Sequence, residues 1–172
     1  RLKEFNALAE PNVASAVETL RARGAKSFVL DLRDNPGGLV QAGVEIARLF
    51  LPPSTVVAYT EGRVVAGGVK GETEVAATAK KGGGGDASTR LKSIPSATAA
   101  SVSEPLAVLV NGRSASASEI LTGALRDNCR ATVAGSRTYG KGLIQSVYEL
   151  SDGSGLVLTV GKYVTPGLHD ID

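Results

Sequence analysis

Leu106-Ala-Val-Leu-Val110-Asn-Gly-Arg-Ser-Ala-Ser-Ala-Ser-Glu-Ile120 reads as an apolar strand, a turn at Asn111-Gly112 and the mouth of a helix. The five-residue run is rich in β-branched and aliphatic side chains, as a buried strand requires. Ile120, Ala124 and Leu125 then recur at helical spacing, which predicts a helix from about Ala115 to Asn128 with those three inward. Strand, tight turn, serine and helix together set hydroxyls at a positive helix end, where free backbone N–H groups can hold a developing oxyanion. Ser116 and Ser118 are both candidate nucleophiles. Ser114 suits an N-cap better, because a serine there satisfies an orphan amide. Spacing alone does not choose between Ser116 and Ser118.

The same alternation extends in both directions. Glu10-Pro11-Asn12 opens a helix whose apolar residues are Val13, Val17 and Leu20, and Gly24 ends it. Residues 27–32 form a short strand. Asp34-Asn-Pro-Gly-Gly38 is a sharp turn with two residues free to take positive φ. Val44, Ala47 and Leu51 mark a helix over 40–51, stopped by Pro52-Pro53. Strands are predicted over 55–59, 62–66 and 72–77. Residues 78–103, with the run Gly82-Gly-Gly-Gly85, read as a long surface loop and not as a phosphate cradle, which needs a flanking strand and helix. After the Ala115–Asn128 helix come a strand over 131–134 and a hairpin of 145–150 and 156–164 around Ser151-Asp-Gly-Ser154. Strands alternating with helices, closed by a C-terminal β-hairpin, predict an α/β layered domain.

Composition narrows the function. A chain of 172 residues suffices for one domain with its own core. The net charge of +2 and the absence of a basic block argue against nucleic acid as partner. No apolar stretch is long enough for a membrane-spanning segment. With Cys129 alone and His169 the single histidine, neither a disulfide nor a ligand spacing for a metal can be written. A first residue Arg1 and no methionine suggest a processed or excised stretch, with any targeting segment elsewhere.

A serine nucleophile needs a neighbour to take its proton. Lysine can serve when burial lowers its pKa from ~10.4. Lys141, flanked by Gly140 and Gly142, can approach closely and turn inward. Gly135-Ser-Arg-Thr-Tyr-Gly140-Lys141 fits most of a phosphate-binding loop, but Gly142 replaces its hydroxyl residue and a strand follows where a helix should. A triad of Ser116, His169 and Asp170 or Asp172 would place its histidine in a polar tail.

Asp31-Leu-Arg-Asp-Asn-Pro-Gly-Gly38, the 110–120 stretch and Thr138-Tyr-Gly-Lys-Gly-Leu-Ile-Gln-Ser146 together resemble the C-terminal processing peptidases, or tail-specific proteases. The motifs stand in the family's order, with its 25-residue spacing from serine to lysine. The resemblance implies a crotonase-like (ClpP/crotonase-type) α/β serine-protease core over 1–172. It implies Ser116 as nucleophile, Lys141 as general base and Gln145 as the residue that orients the lysine. The oxyanion amides would be those of Gly38 and Ala117. Asp127 would support the site, a helix-surface ion pair being an equal account of it, and Glu119 would be structural. No cofactor or metal is implied. Partners would be a protein substrate with a free C-terminus and an upstream PDZ domain of the same chain, absent from this stretch. The residues Tyr163 to Asp172 resemble the plastid and algal branch that trims a photosystem II reaction-centre precursor, which implies the chloroplast or thylakoid lumen; a bacterial periplasm is the alternative. Rival functions are a non-catalytic binding scaffold and a crotonase-type acyl-thioester enzyme, neither of which needs Ser116 or Lys141.

Overall fold

The structure, a computed structural model, describes residues 1–62, 90–96 and 100–171. Its elements are α1 (Ala9–Ala22), β1 (Phe28–Asp31), α2 (Val40–Phe50), β2 (Val56–Gly62), β3 (Arg90–Pro95), β4 (Leu106–Val110), α3 (Ala117–Asp127), β5 (Ala131–Gly135), β6 (Leu143–Glu149) and β7 (Gly155–Val164). They make an α/β fold with two sheets. The first is parallel, in the order β1-β4-β5; the second is antiparallel, in the order β3-β2-β7-β6. The predicted hairpin is present as β6 and β7, joined to β2 as part of the larger sheet.

Burial follows the periodicity that forms each element. On α3, Ile120, Leu121, Ala124 and Leu125 are all buried, and α2 meets them with Val44, Ile46, Ala47 and Phe50. Gly43 lets the two helices close: a Cβ there would stand 3.2 Å from the Ala117 carbonyl oxygen. Alternate residues of β4 (Leu106, Val108 and Val110) complete the core from the sheet. Arg130 ties the underside together. Its Nε donates to the Phe50 carbonyl at 3.0 Å, and its Nη2 donates to the carbonyls of Val102 and Glu104 at 3.0 and 2.8 Å.

Two readings change. The predicted break between strands at 59–62 is absent, because β2 runs unbroken to Gly62; what was expected over 63–66 and 72–77, and the glycine run, lies outside the described residues. The predicted surface loop of 78–103 contains β3, with Ile94 paired to Ala58 and buried, and with Ser96 and Val102 buried after it. A strand can be dilute in apolar residues when backbone bonds hold it. Here the amide of Ser96 donates to Thr55, that of Ser54 donates to Ser96, and that of Val102 donates to Leu49.

Arg21 on α1 grips Glu104 before β4, with Nε–Oε1 at 2.5 Å and Nη2–Oε2 at 2.7 Å. These bonds hold the Glu104 carboxyl down at about 2. A folded pKa below the ordinary 4.5 means that the pair's stabilisation is complete above pH 4.5 and is lost as pH falls towards 2. In thermal melts across that window, Glu104→Gln should flatten the fall in Tm relative to the unsubstituted protein. An unchanged slope would exclude Glu104 as a contributor to acid unfolding.

Candidate active site

β1 and β4 run parallel and end together, so the turns that follow them lie side by side. Of the three serines, two are spent on this junction. Ser114 is fully buried; its hydroxyl donates to the Leu32 carbonyl at 2.8 Å and accepts from the Asn111 amide at 3.0 Å. It is therefore not the N-cap that its spacing suggested. Ser118, also buried, donates to the Asn35 carbonyl at 3.0 Å, which accepts the Ala115 amide as well. Ser116 sits between them, half-buried, as the N-cap of α3. Its backbone has φ 56° and ψ −115°, a strained conformation for a residue with a Cβ.

The facing turn is built around Asn35, which is fully buried. Its Oδ1 accepts the Gly37 amide at 2.9 Å and its Nδ2 donates to the Leu2 carbonyl at 3.0 Å. Phe5 then brackets the turn, with its amide donating to Gly37 and its carbonyl accepting from Leu39. The Gly38 amide is not part of that bridge. Ala117 is the first residue of α3, so its amide has no carbonyl behind it in the helix. The two glycines have different reasons to be glycine. At Gly38 (φ 132°) a side chain would collide with the Phe5 carbonyl. At Gly37 (φ 98°) a Cβ would stand 2.8 Å from Ser116 Cβ and 3.0 Å from the Ala117 nitrogen, against the oxyanion candidate itself.

The third wall comes from residues 139–145. Tyr139 donates its amide to the Ser114 carbonyl at 3.0 Å. The amides of Gly140 and Lys141 donate to the buried Glu119 carboxylate at 2.6 and 2.9 Å, and the same carboxylate accepts the Ser116 amide at 2.7 Å. Lys141 and Gln145 line one open cavity of about 580 Å³ with Arg113, Tyr139 and Leu143. The lysine is exposed, not turned inward as its flanking glycines suggested. The crowding at Gly142 comes instead from the tail, where a Cβ would stand 2.6 Å from the Ile171 carbonyl oxygen.

Asp127 makes no ion pair among the described residues. Its Oδ2 accepts the Gly167 amide at 2.9 Å and so fixes the tail to α3. His169, exposed, lines a different cavity from Lys141, shared with Arg126, Asp127 and Glu119. Sequence reasoning missed Asn35, Asn111 and Asp34. Asn111 Nδ2 donates to Asp34 Oδ1 at 2.8 Å while its Oδ1 accepts the Asp34 amide at 3.0 Å, a reciprocal clasp between the two turns. Asparagines beside turn glycines were the available signal. Among the described residues, no group of three His, Cys, Asp or Glu could hold a metal ion.

These features define a layered α/β domain with a strained serine at a helix N-terminus, a glycine turn packed against it and a cavity lined by Lys141 nearby. The chain belongs to peptidase family S41, whose description matches residues 1–172. It is 51% identical over 172 residues to the carboxyl-terminal-processing peptidase 1, chloroplastic, of Arabidopsis thaliana, covering 100% of this chain and 30% of that protein. It is 51% identical over 171 residues to the carboxyl-terminal-processing protease of Synechocystis, covering 99% and 34%. Among solved structures, a photosystem II D1 C-terminal processing protease superimposes with a TM-score of 0.74 at 37% identity, covering 99% of this chain and 38% of that one. The chain thus spans about a third of the length of the curated relatives it matches.

The crowding at Gly37 is testable without an assay of function. Gly24 (φ 88°) has nothing within 4 Å of its would-be Cβ, so Gly24→Ala carries the backbone cost alone, about 1–2 kcal/mol. Gly37→Ala should cost clearly more in chemical denaturation, because it adds the clash with Ser116 and Ala117. Equal losses would mean that the turn relaxes away from α3.

Proposed function

We propose that this domain is the catalytic core of a serine endopeptidase that cleaves near the C-terminus of protein substrates through a Ser116/Lys141 dyad. One observation carries the choice of serine. Ser114 and Ser118 are committed to the Leu32 and Asn35 carbonyls, whereas Ser116 stands strained at the helix mouth beside Gly37. In the reaction, the neutral Lys141 amine takes the Ser116 hydroxyl proton as Oγ bonds to the peptide carbonyl carbon. The oxyanion accepts from the amides of Gly38 and Ala117. The lysine ammonium then protonates the leaving amine as the C–N bond breaks. Water attacks the acyl-enzyme with the same base, releasing the carboxylate and restoring the serine. Gln145, on the strand that follows, orients the amine across the shared cavity. Asp127 acts at a distance by holding the tail.

The substrate reading rests on the relatives' names. A photosystem II reaction-centre precursor with a C-terminal extension is the proposed target, in a chloroplast or another extracytoplasmic compartment, with the thylakoid lumen as the finer assignment. An upstream PDZ domain of the complete protein would hold the substrate's free C-terminus, since remote binding groups supply near-attack positioning.

In the complete protein, Ser116→Ala and Lys141→Ala should each lower kcat by at least about 10⁴-fold with the fold retained, and the double variant should be scarcely worse than either, because both residues serve one step. His169→Ala should leave turnover unchanged. Full activity in Lys141→Ala with a dead His169→Ala would replace the dyad by a histidine triad. Turnover surviving in Ser116→Ala would favour the acyl-thioester reading, and no turnover in any form would favour the scaffold.

Substrate capture makes a separate demand. Assayed on one tail-bearing peptide, residues 1–172 alone should turn over far more slowly than the complete protein, and amidating the peptide's C-terminus should weaken the latter. Equal, robust turnover by both would locate the substrate site within these 172 residues.

A further inference from the structure

We infer that Glu119 is the positioning residue that couples the nucleophile to its base: a single buried carboxylate, accepting three backbone amides, fixes the Ser116 turn against the Lys141 loop. The inference rests on the dyad proposed above and assigns what holds its halves in register. Glu119 is 4% exposed, and no cation pairs with it among the described residues. Its charge is met instead by N–H groups and by the N-terminal turn of α3, where a carboxylate is favoured. Oε2 accepts from Ser116 at 2.7 Å and from Lys141 at 2.9 Å; Oε1 accepts from Gly140 at 2.6 Å. A helix cap would need only the first of these. The other two donors lie 21 and 22 residues further along the chain, so the side chain does more than end a helix.

The loop has other anchors on either side. Tyr139 donates to Ser114, and the Gly142 carbonyl accepts from Tyr163. Losing Glu119 should therefore leave residues 139–142 docked while freeing the 140–141 peptides to rotate. Glutamine is a poor substitute. Its one oxygen faces three donors, and its NH₂ group opposes an N–H. Glu119 also lines the cavity of about 370 Å³ shared with Thr122, Arg126 and His169, so a small anion can reach the space its side chain would vacate.

The experiment uses Glu119→Gln, Glu119→Asp and Glu119→Ala in the complete protein, beside Ser116→Ala and Lys141→Ala. Glu119→Gln should lower kcat by about a hundredfold, the scale of a 1 Å misplacement, with KM little changed. In hydrogen exchange, the Gly140 and Lys141 amides should lose protection while those of Leu121 and Leu125 keep theirs. Sodium formate should restore part of the turnover of Glu119→Ala, and Glu119→Asp should fall between the unsubstituted protein and Glu119→Gln. A merely structural carboxylate would lower Tm without a loss of kcat well below Tm. Turnover of Glu119→Gln within threefold of the unsubstituted enzyme, or Gly140 and Lys141 amides still protected in it, would overturn the inference. If Glu119→Gln does not fold, the inference stands or falls on Glu119→Asp, which keeps the charge and shortens the reach. Should Ser116→Ala or Lys141→Ala remain active, the dyad itself fails, and the exchange data still report whether the carboxylate clamps the loop.

Discussion

The parallel register of β1 on β4 sets Leu30 opposite Val108 and Asp31 opposite Leu109, and the arrangement of the site follows from it. Both strands run in the same direction and stop at the same level, so both chains leave the sheet at one edge. Each must then satisfy backbone groups that no longer have a ladder. The two turns do this for each other. Ser114 bonds Leu32, Ala115 and Ser118 bond Asn35, and Asn111 clasps Asp34. A slip of one residue in the register would turn the buried set of β4 outward and dissolve every one of these contacts.

Strain at Ser116 is sustained by this frame. A positive φ at a residue with a Cβ costs of order 1–3 kcal/mol and persists only where the surroundings over-determine it. Ser116 is fixed from three sides: by the Ala115 amide on Asn35, by its own amide on Glu119, and by the α3 amides of Glu119 and Ile120 on its carbonyl. Gly37 supplies the space opposite. Asp34, itself at φ 61°, is held by Asn111, Arg113 and Arg1, which keep its carboxyl down at about 2, so this clasp stays charged through the neutral range.

Much of this was legible in the sequence. Outside residues 59–103 the order of elements, the inward faces of α2 and α3 and the closing hairpin follow from spacing, and the motifs around Asp31, Ser116 and Lys141 carry the family. β3 was not legible, because Leu91 and Ile94 stand three apart beside Lys92 and Pro95, which shows no strand alternation, and the strand is secured by backbone pairing with β2. Ser114 was misjudged because capping is one of several bonds a serine can make. Its neighbour across the sheet, Leu32, lies 82 residues away in the chain. The inward turn expected of Lys141 was misjudged because glycines beside a residue show that something comes close without showing what. Here it is Ile171.

The site divides its polar groups by burial, and the division has a physical reason. Asn35, Ser114, Ser118 and Glu119 are all buried, and each is hydrogen-bonded to backbone groups. Lys141 and Gln145 are exposed at the cavity, and Ser116 lies between the two groups. A buried polar group left unpaired costs about 1–3 kcal/mol, so the inner set can hold one geometry but cannot release a partner to react. Groups that react, as proposed for Ser116 and Lys141, must exchange partners, first with water and then with a substrate, so they belong on the accessible side. The frame needs many bonds made once, and the chemistry needs few bonds that can be remade. An irregular junction at the end of a parallel sheet provides both, because its backbone groups call for side-chain partners on the inside while its outer face stays open.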